Sequence, residues 1–185
     1  QALVALELKK VLAYSTMSQI GYMLLGLGAA GFAPSLLLGG YTAGVFHLVS
    51  HALFKACLFL CAGTVIHAVH SIYINEMGGV RQHLRLTWLF TLVAGLSLMG
   101  VPIFPGFWSK DAVLLATAEA SMPLLILGLV TVGITAFYTT RFIGLVFHRE
   151  ASPAFARTVG YGAHVDDGYL SMRFAAGVLA AGIIV

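Results

Sequence analysis

The chain has 185 residues, of which ten are Lys or Arg and seven Asp or Glu, so only 9 % is charged, against roughly 25 % in an ordinary soluble domain. Its hydrophobic fraction is 59 % before 21 glycines are added, and its mean hydropathy is +0.95. Such a composition cannot clothe a soluble fold in polar surface and is far too apolar for a disordered chain, so both are excluded.

The charges are also bunched. No Asp, Glu, Lys or Arg occurs between Lys10 and Lys55, between Lys55 and Glu76, or between Arg85 and Lys110. A helix needs about 20 apolar residues to cross the hydrocarbon core of a bilayer. The runs are continuous, without the alternation of a membrane barrel. The fold class they predict is all-α, a polytopic transmembrane helix bundle. A net charge of +3 is too small to argue for nucleic acid, and the partner the composition implies is the lipid bilayer. Cys57 and Cys61 lie inside an apolar run and read as small helix-packing residues. The sequence starts at Gln1 with no signal-peptide pattern and stops inside the apolar run Phe174 to Val185, which suggests a fragment of a longer chain.

In chain order, a first helix is expected over about 11–31, following Glu7, Lys9 and Lys10. Pro34 and Ser35 open a second, over about 35–68, too long for one perpendicular crossing. A polar loop follows to Arg85, with the Gly78–Gly79 pair marking a turn. A third helix over 86–101 stops at Pro102, Pro105 and Gly106, and a short one over 108–121 is too short to cross alone at about 1.5 Å per residue. These two read together as one discontinuous, broken crossing. A further helix is expected over 123–147, closing a bundle of residues 1–147. A polar loop over 148–168 and the start of another transmembrane helix over 169–185 complete the chain. With the broken pair counted as one crossing, Lys9, Lys10, Arg81, Arg85, Arg149 and Arg157 share one side, and the other side carries only Glu119. The positive-inside rule makes the basic side cytoplasmic, or its organellar equivalent.

Some side chains do not belong in lipid. His47, His51 and Lys55 follow at steps of four, along one slanting stripe of the second helix. Such groups usually face a wet cavity or a partner, and His titrates near neutrality, so the stripe is a candidate proton relay. The plainer alternative makes the two histidines satisfied core residues, but a membrane-embedded amine has little structural use. A zinc site needs more ligands than two histidines at one-turn spacing, and none stands nearby. Lys110 and Asp111 open the short helix after the proline break. Broken helices in bilayers build ion sites from half-helix ends. An acid suits that positive end and Lys110 there is electrostatically disfavoured, favouring proton release; a simple Lys–Asp doublet at a helix start is the alternative. Tyr138 is either a hydrogen-bonding relay partner or an interface aromatic, Arg141 a snorkelling cation, and the polar residues Tyr14, Ser15, Thr16, Ser18, Gln19 and Tyr22 mostly glue helices together.

Five segments occur in a telling order: Leu8-Lys-Lys-Val-Leu-Ala-Tyr-Ser-Thr-Met-Ser-Gln-Ile-Gly-Tyr22, Phe46-His-Leu-Val-Ser-His-Ala-Leu-Phe-Lys-Ala-Cys-Leu-Phe-Leu60, Met77-Gly-Gly79, Gly106-Phe-Trp-Ser-Lys-Asp111 and Thr135-Ala-Phe-Tyr-Thr-Thr-Arg141. Over about residues 7 to 150 they closely resemble the antiporter-like subunit L, or chain 5, family of respiratory complex I. The resemblance implies helices from the second of two inverted repeats, each with one broken helix. It implies proton translocation through charged residues along a mid-membrane axis, driven by quinone reduction elsewhere in the complex. By that resemblance His47, His51 and Lys55 match the axis stripe, and Lys110, with Asp111 beside it, the broken-helix lysine. Its partners would be other membrane subunits of a complex I-like assembly, with quinone and NADH reached only through other subunits. No cofactor or metal is expected in this chain, nor redox chemistry, so enzyme status would come only through the complex. The cell membrane of a bacterium or archaeon, or an organellar inner membrane, would house it. Departures are Glu7 for the usual Asp, Ile103-Phe-Pro105 before the Gly-Phe, Trp108 for Phe, and a loosely matching 148–173 stretch with His164 and Asp167. The alternatives are a subunit of a multisubunit Na⁺/H⁺ antiporter, a related complex with a different electron donor, and a structural subunit whose lysines pair statically. Ser109-Lys-Asp111 and Ile74-Asn-Glu-Met77 favour the complex I reading.

Overall fold

The structure is a computed structural model and describes residues 1–153, 155–156 and 170–184. Its main helices are α1 (Leu8–Ala29), α2 (Leu37–Val69), α3 (Arg85–Met99), α4 (Pro105–Ala120), α5 (Met122–Ile143) and α6 (Leu170–Ile184). Short 3₁₀ turns at Pro34–Leu36, Ile74–Glu76 and Val80–Gln82 fill the connections, and α5 runs on through a π-helical turn, Gly144–His148.

Local chemistry explains the ends. α2 terminates at His70, which takes the left-handed conformation (φ 55°) of a helix C-cap. α3 closes on left-handed Gly100, whose N–H, with that of Val101, turns back onto the carbonyls of Leu96 and Ser97. α4 begins at Pro105, where the sequence reading has Trp108. Proline at the first helical position needs no N–H partner and has its φ preset, so here it starts a helix that the sequence makes it seem to interrupt. Between the two helices the five residues 100–104 run irregularly, with Ile103 held at φ 92°, a costly conformation for a β-branched side chain.

The bundle is polar inside and apolar outside. Ser15, Gln19, His47, Ser50, His51, Lys55, Ser109, Lys110, Thr135 and Thr139 are buried, while Met17, Ile20, Leu24, Leu38, Phe137 and Leu127 are exposed. A soluble protein arranges these the other way round. The segments Pro34–Val69 and Met122–His148 are each long and apolar enough to cross a membrane. α1 is less apolar because it carries the polar side chains that it turns inward. α1 and α2 cross at glycine contacts: a Cβ on Gly40 would stand 2.7 Å from the backbone of Ala30 and Gly26.

Three connections gather at one end. Glu7 and Tyr73 form an antiparallel bridge, with Leu8 N–H donating to Ile72 O (3.0 Å) and Ile74 N–H to Leu6 O (2.8 Å). Trp88 Nε1 donates to His148 Nε2 at 3.2 Å, and the Ser152 hydroxyl donates to the Glu76 carbonyl. Lys9, Lys10, Arg81, Arg85 and Arg149 belong to this end; Arg157, His164 and Asp167 lie outside the described residues. α6 is part of the same core, through Ala176, Ala180 and Ile183, and the buried thiol of Cys57 meets the carbonyls of Phe90 and Ala176, against α3 and α6.

Candidate functional site

α2 carries His47, His51 and Lys55 on its buried face, four residues apart, so a single rigid helix lines them up. The rings of His47 and His51 lie 6.3 Å apart and Phe54 packs on both. Lys55 is 4 % exposed and Lys110 3 %. Among the described residues neither forms an ion pair: the one salt bridge is Lys10–Glu7, at the surface. Both ammonium groups are held by neutral oxygens. Lys55 Nζ donates to Ser15 Oγ (2.8 Å) and to the Leu12 carbonyl (3.0 Å) of α1, and Ser15 Oγ in turn meets the Tyr138 hydroxyl of α5 at 2.8 Å.

Lys110 differs from its sequence-based placement. The reading put its charge at the positive end of its own helix. In the structure α4 begins at Pro105, more than a turn before Lys110, and Nζ donates to the Leu98 carbonyl in the last turn of α3. Carbonyl ends of helices favour cations, so the break presents Lys110 with the negative pole of α3. Gly106 makes this approach feasible, since a Cβ there would stand 1.9 Å from the Ser97 carbonyl oxygen. The Asp111 side chain is half-buried and, among the described residues, makes no hydrogen bond or ion pair, but its charge lies close enough to act on Tyr22.

The polar residues of α1 bond to three other helices. Gln19, fully buried, joins His47 Nε2 (3.1 Å) to Thr135 Oγ1 of α5 (3.3 Å), and Ser109 Oγ of α4 meets His47 Nδ1 at 2.9 Å. Tyr22 donates to the Lys110 carbonyl at 3.3 Å. Tyr138 is 1 % exposed, a group of the interior and no interface aromatic. Sequence reasoning did not single out Ser15, Gln19, Ser109 or Thr135 as site residues. The available signal was spacing, because Ser15, Gln19 and Tyr22 fall on one helical face, opposite the apolar Met17, Ile20 and Leu24. Arg141 reaches the Ala5 carbonyl (3.4 Å) at the basic end, and Glu119 is exposed.

Buried lysines held by hydroxyl and carbonyl oxygens, beside one imidazole bonded to a hydroxyl and an amide, inside an apolar-coated helical bundle, define a class: integral membrane proteins with an ionisable interior of the kind that marks ion or proton pathways. A profile described as NADH:quinone oxidoreductase/Mrp antiporter, transmembrane, matches residues 1–135, and the chain belongs to that family. It is 43 % identical over 158 residues to NAD(P)H-quinone oxidoreductase chain 5 of Picosynechococcus sp., covering 80 % of this chain and 22 % of that one. It is 42 % identical over 142 residues to NADH-quinone oxidoreductase subunit L of Rickettsia bellii, covering 77 % of this chain and 21 % of the relative. The chain therefore spans about a fifth of these relatives' length. Among solved structures, 99 % of the chain superposes on the membrane-bound sulfane sulfur reductase, an archaeal respiratory membrane complex (TM-score 0.86, 30 % identity, 28 % of that chain). The same share superposes on the Mrp complex from Dietzia sp. DQ12-45-1b (TM-score 0.82, 23 % identity, 40 % of that chain), a likeness of fold.

Proposed function

We propose that this chain forms part of a proton-translocating membrane subunit of a redox-driven NADH–quinone oxidoreductase, that α3 and α4 make one broken crossing, and that Lys110, His47, His51 and Lys55 carry the protons. The observation that bears most weight is the pair of buried lysines whose hydrogen-bond partners, among the described residues, are neutral oxygens. A buried ammonium without a carboxylate costs stability, and a structural role would have been served better by an apolar side chain. Redox chemistry would reside in partner subunits, and coupling would reach this chain as a change in the surroundings of the lysines. The basic end, drawn together by the Glu7–Tyr73 and Trp88–His148 contacts, would face the cytoplasm or matrix.

The test is donor-driven acidification of inverted membrane vesicles carrying Lys110→Ala in the full-length subunit, with quinone reduction and a Na⁺-driven pH jump followed in the same preparation. Acidification and quinone reduction are expected to fall together. Loss of the Na⁺-driven jump alone would assign the chain to a cation/proton antiporter, and unchanged acidification would remove Lys110 from the path.

A further inference from the structure

The hydrogen bonds around His47 have a direction that can be worked out from one hydroxyl. Thr135 Oγ1 donates its single hydrogen to the Thr131 carbonyl at 2.8 Å. It can therefore only accept from Gln19, which fixes the amide nitrogen of Gln19 toward Thr135 and the amide oxygen toward His47. An oxygen facing Nε2 requires that Nε2 carry hydrogen. In the neutral ring Nδ1 is then the acceptor, and the group donating to it is Ser109 Oγ. All four side chains are at most 1 % exposed, so bulk water does not reshuffle the order.

We propose that Gln19 and Ser109 make His47 a one-sided proton site, which takes up and releases its proton only at Nδ1, toward the α4 break, with Gln19 as the positioning residue. This rests on the proton-translocation reading above. Nε2 faces an amide oxygen, too weak a base to receive its proton, so that nitrogen keeps its hydrogen in both states of the ring. When Nδ1 gains a proton the Ser109 hydroxyl must turn and accept, and its hydrogen has a second acceptor in the Gly106 carbonyl, 3.4 Å away. Ser109 thus serves both protonation states by rotating about one bond, without leaving a buried donor unpaired. The titratable groups facing His47 are Tyr22 of α1, His51 on its own helix and Lys110 of α4. Of these, Lys110 adjoins Ser109 in sequence. The exchange balances as Lys110 ammonium plus neutral imidazole going to Lys110 amine plus imidazolium. His47 becomes a store filled from and emptied to the break; passing a proton along α2 from Nε2 would require the ring to turn and forfeit both of its hydrogen bonds.

The test uses the intact parent complex with the full-length subunit, reconstituted in proteoliposomes, reading protons pumped per quinone reduced. Gln19→Met keeps the volume and removes the acceptor, whereas Gln19→Glu replaces it with a carboxylate, a stronger base that attracts the Nε2 proton and stabilises the imidazolium. We expect about a tenfold loss of pumping for the former, the lower range for losing a histidine-orienting partner, and for the latter a shift of the pumping–pH profile to higher pH. A purely packing role predicts wild-type pumping by Gln19→Met and an unmoved profile for Gln19→Glu, and that result overturns the proposal. Should Gln19→Met fail to assemble, Ser109→Ala against Ser109→Thr decides. Loss with Ala and recovery with Thr support the rotating hydroxyl, and equal pumping by both overturns it. Lys110→Ala accompanies every series. Pumping that survives Lys110→Ala rejects proton translocation through this site altogether. Loss there with flat Gln19 and Ser109 series rejects only the one-sided histidine.

Discussion

Lys55 shows what a buried charge is for. Its ammonium leaves water to meet one hydroxyl and one backbone carbonyl that already serves α1, a poor exchange in energy. Replacing a buried charge by an apolar chain of similar length is often neutral or stabilising. Lys55→Met is therefore expected to melt at the same temperature as wild type or higher, while proton translocation by the complex collapses. A lysine kept for static support would instead lose several kcal/mol of stability, so thermal unfolding and pumping measured on one preparation separate the two. Tyr138→Phe removes only the hydroxyl that meets Ser15, and about 1 kcal/mol of stability should go with it. At this scale His47, His51, Lys55 and Lys110 were legible because charged and imidazole side chains are conspicuous in an apolar run. Gln19 and Ser109 were not, since a lone amide or hydroxyl in a membrane helix is common and its partner stands 28 or 62 residues away in the chain.

At the level of helices, backbone contact carries the architecture. α1 and α2 touch where Gly40 faces Ala30 and Gly26, and a methyl group there meets backbone that cannot swing aside. Gly40→Ala should destabilise the detergent-solubilised subunit by about 1–3 kcal/mol, as overpacked sites do. Gly39→Ala is its control, because a Cβ at Gly39 meets nothing within 4 Å, and a helix generally gains from the exchange. Similar melting of the two would refute the close-contact account. The α3–α4 break works by the same physics. Gly106 lets α4 lie against the last turn of α3, and only then can Lys110 reach the Leu98 carbonyl. Pro102, Pro105 and Gly106 announced a break in the sequence. That the second proline begins a helix, and that the lysine of α4 caps α3, depends on how the two helices overlap.

For the molecule as a whole, the polar interior and apolar exterior follow from the solvent being lipid along most of the surface. The two native thiols are buried, so single cysteines introduced elsewhere report sidedness cleanly. Arg81→Cys and Ala151→Cys are expected to react with a membrane-impermeant maleimide from the cytoplasmic or matrix side, and Ser121→Cys from the other. Labelling of Arg81→Cys and Ser121→Cys from the same side would contradict the sidedness.

The sequence by itself determined the membrane environment, the helical class and the positions of the costly charges, because these depend on composition and on spacing along one helix. Only the tertiary structure decided which neutral oxygens receive those charges, which way the hydrogen bonds around His47 point, and which helix end Lys110 faces. Each of those is a relation between side chains on different helices, set by packing that no single helix encodes.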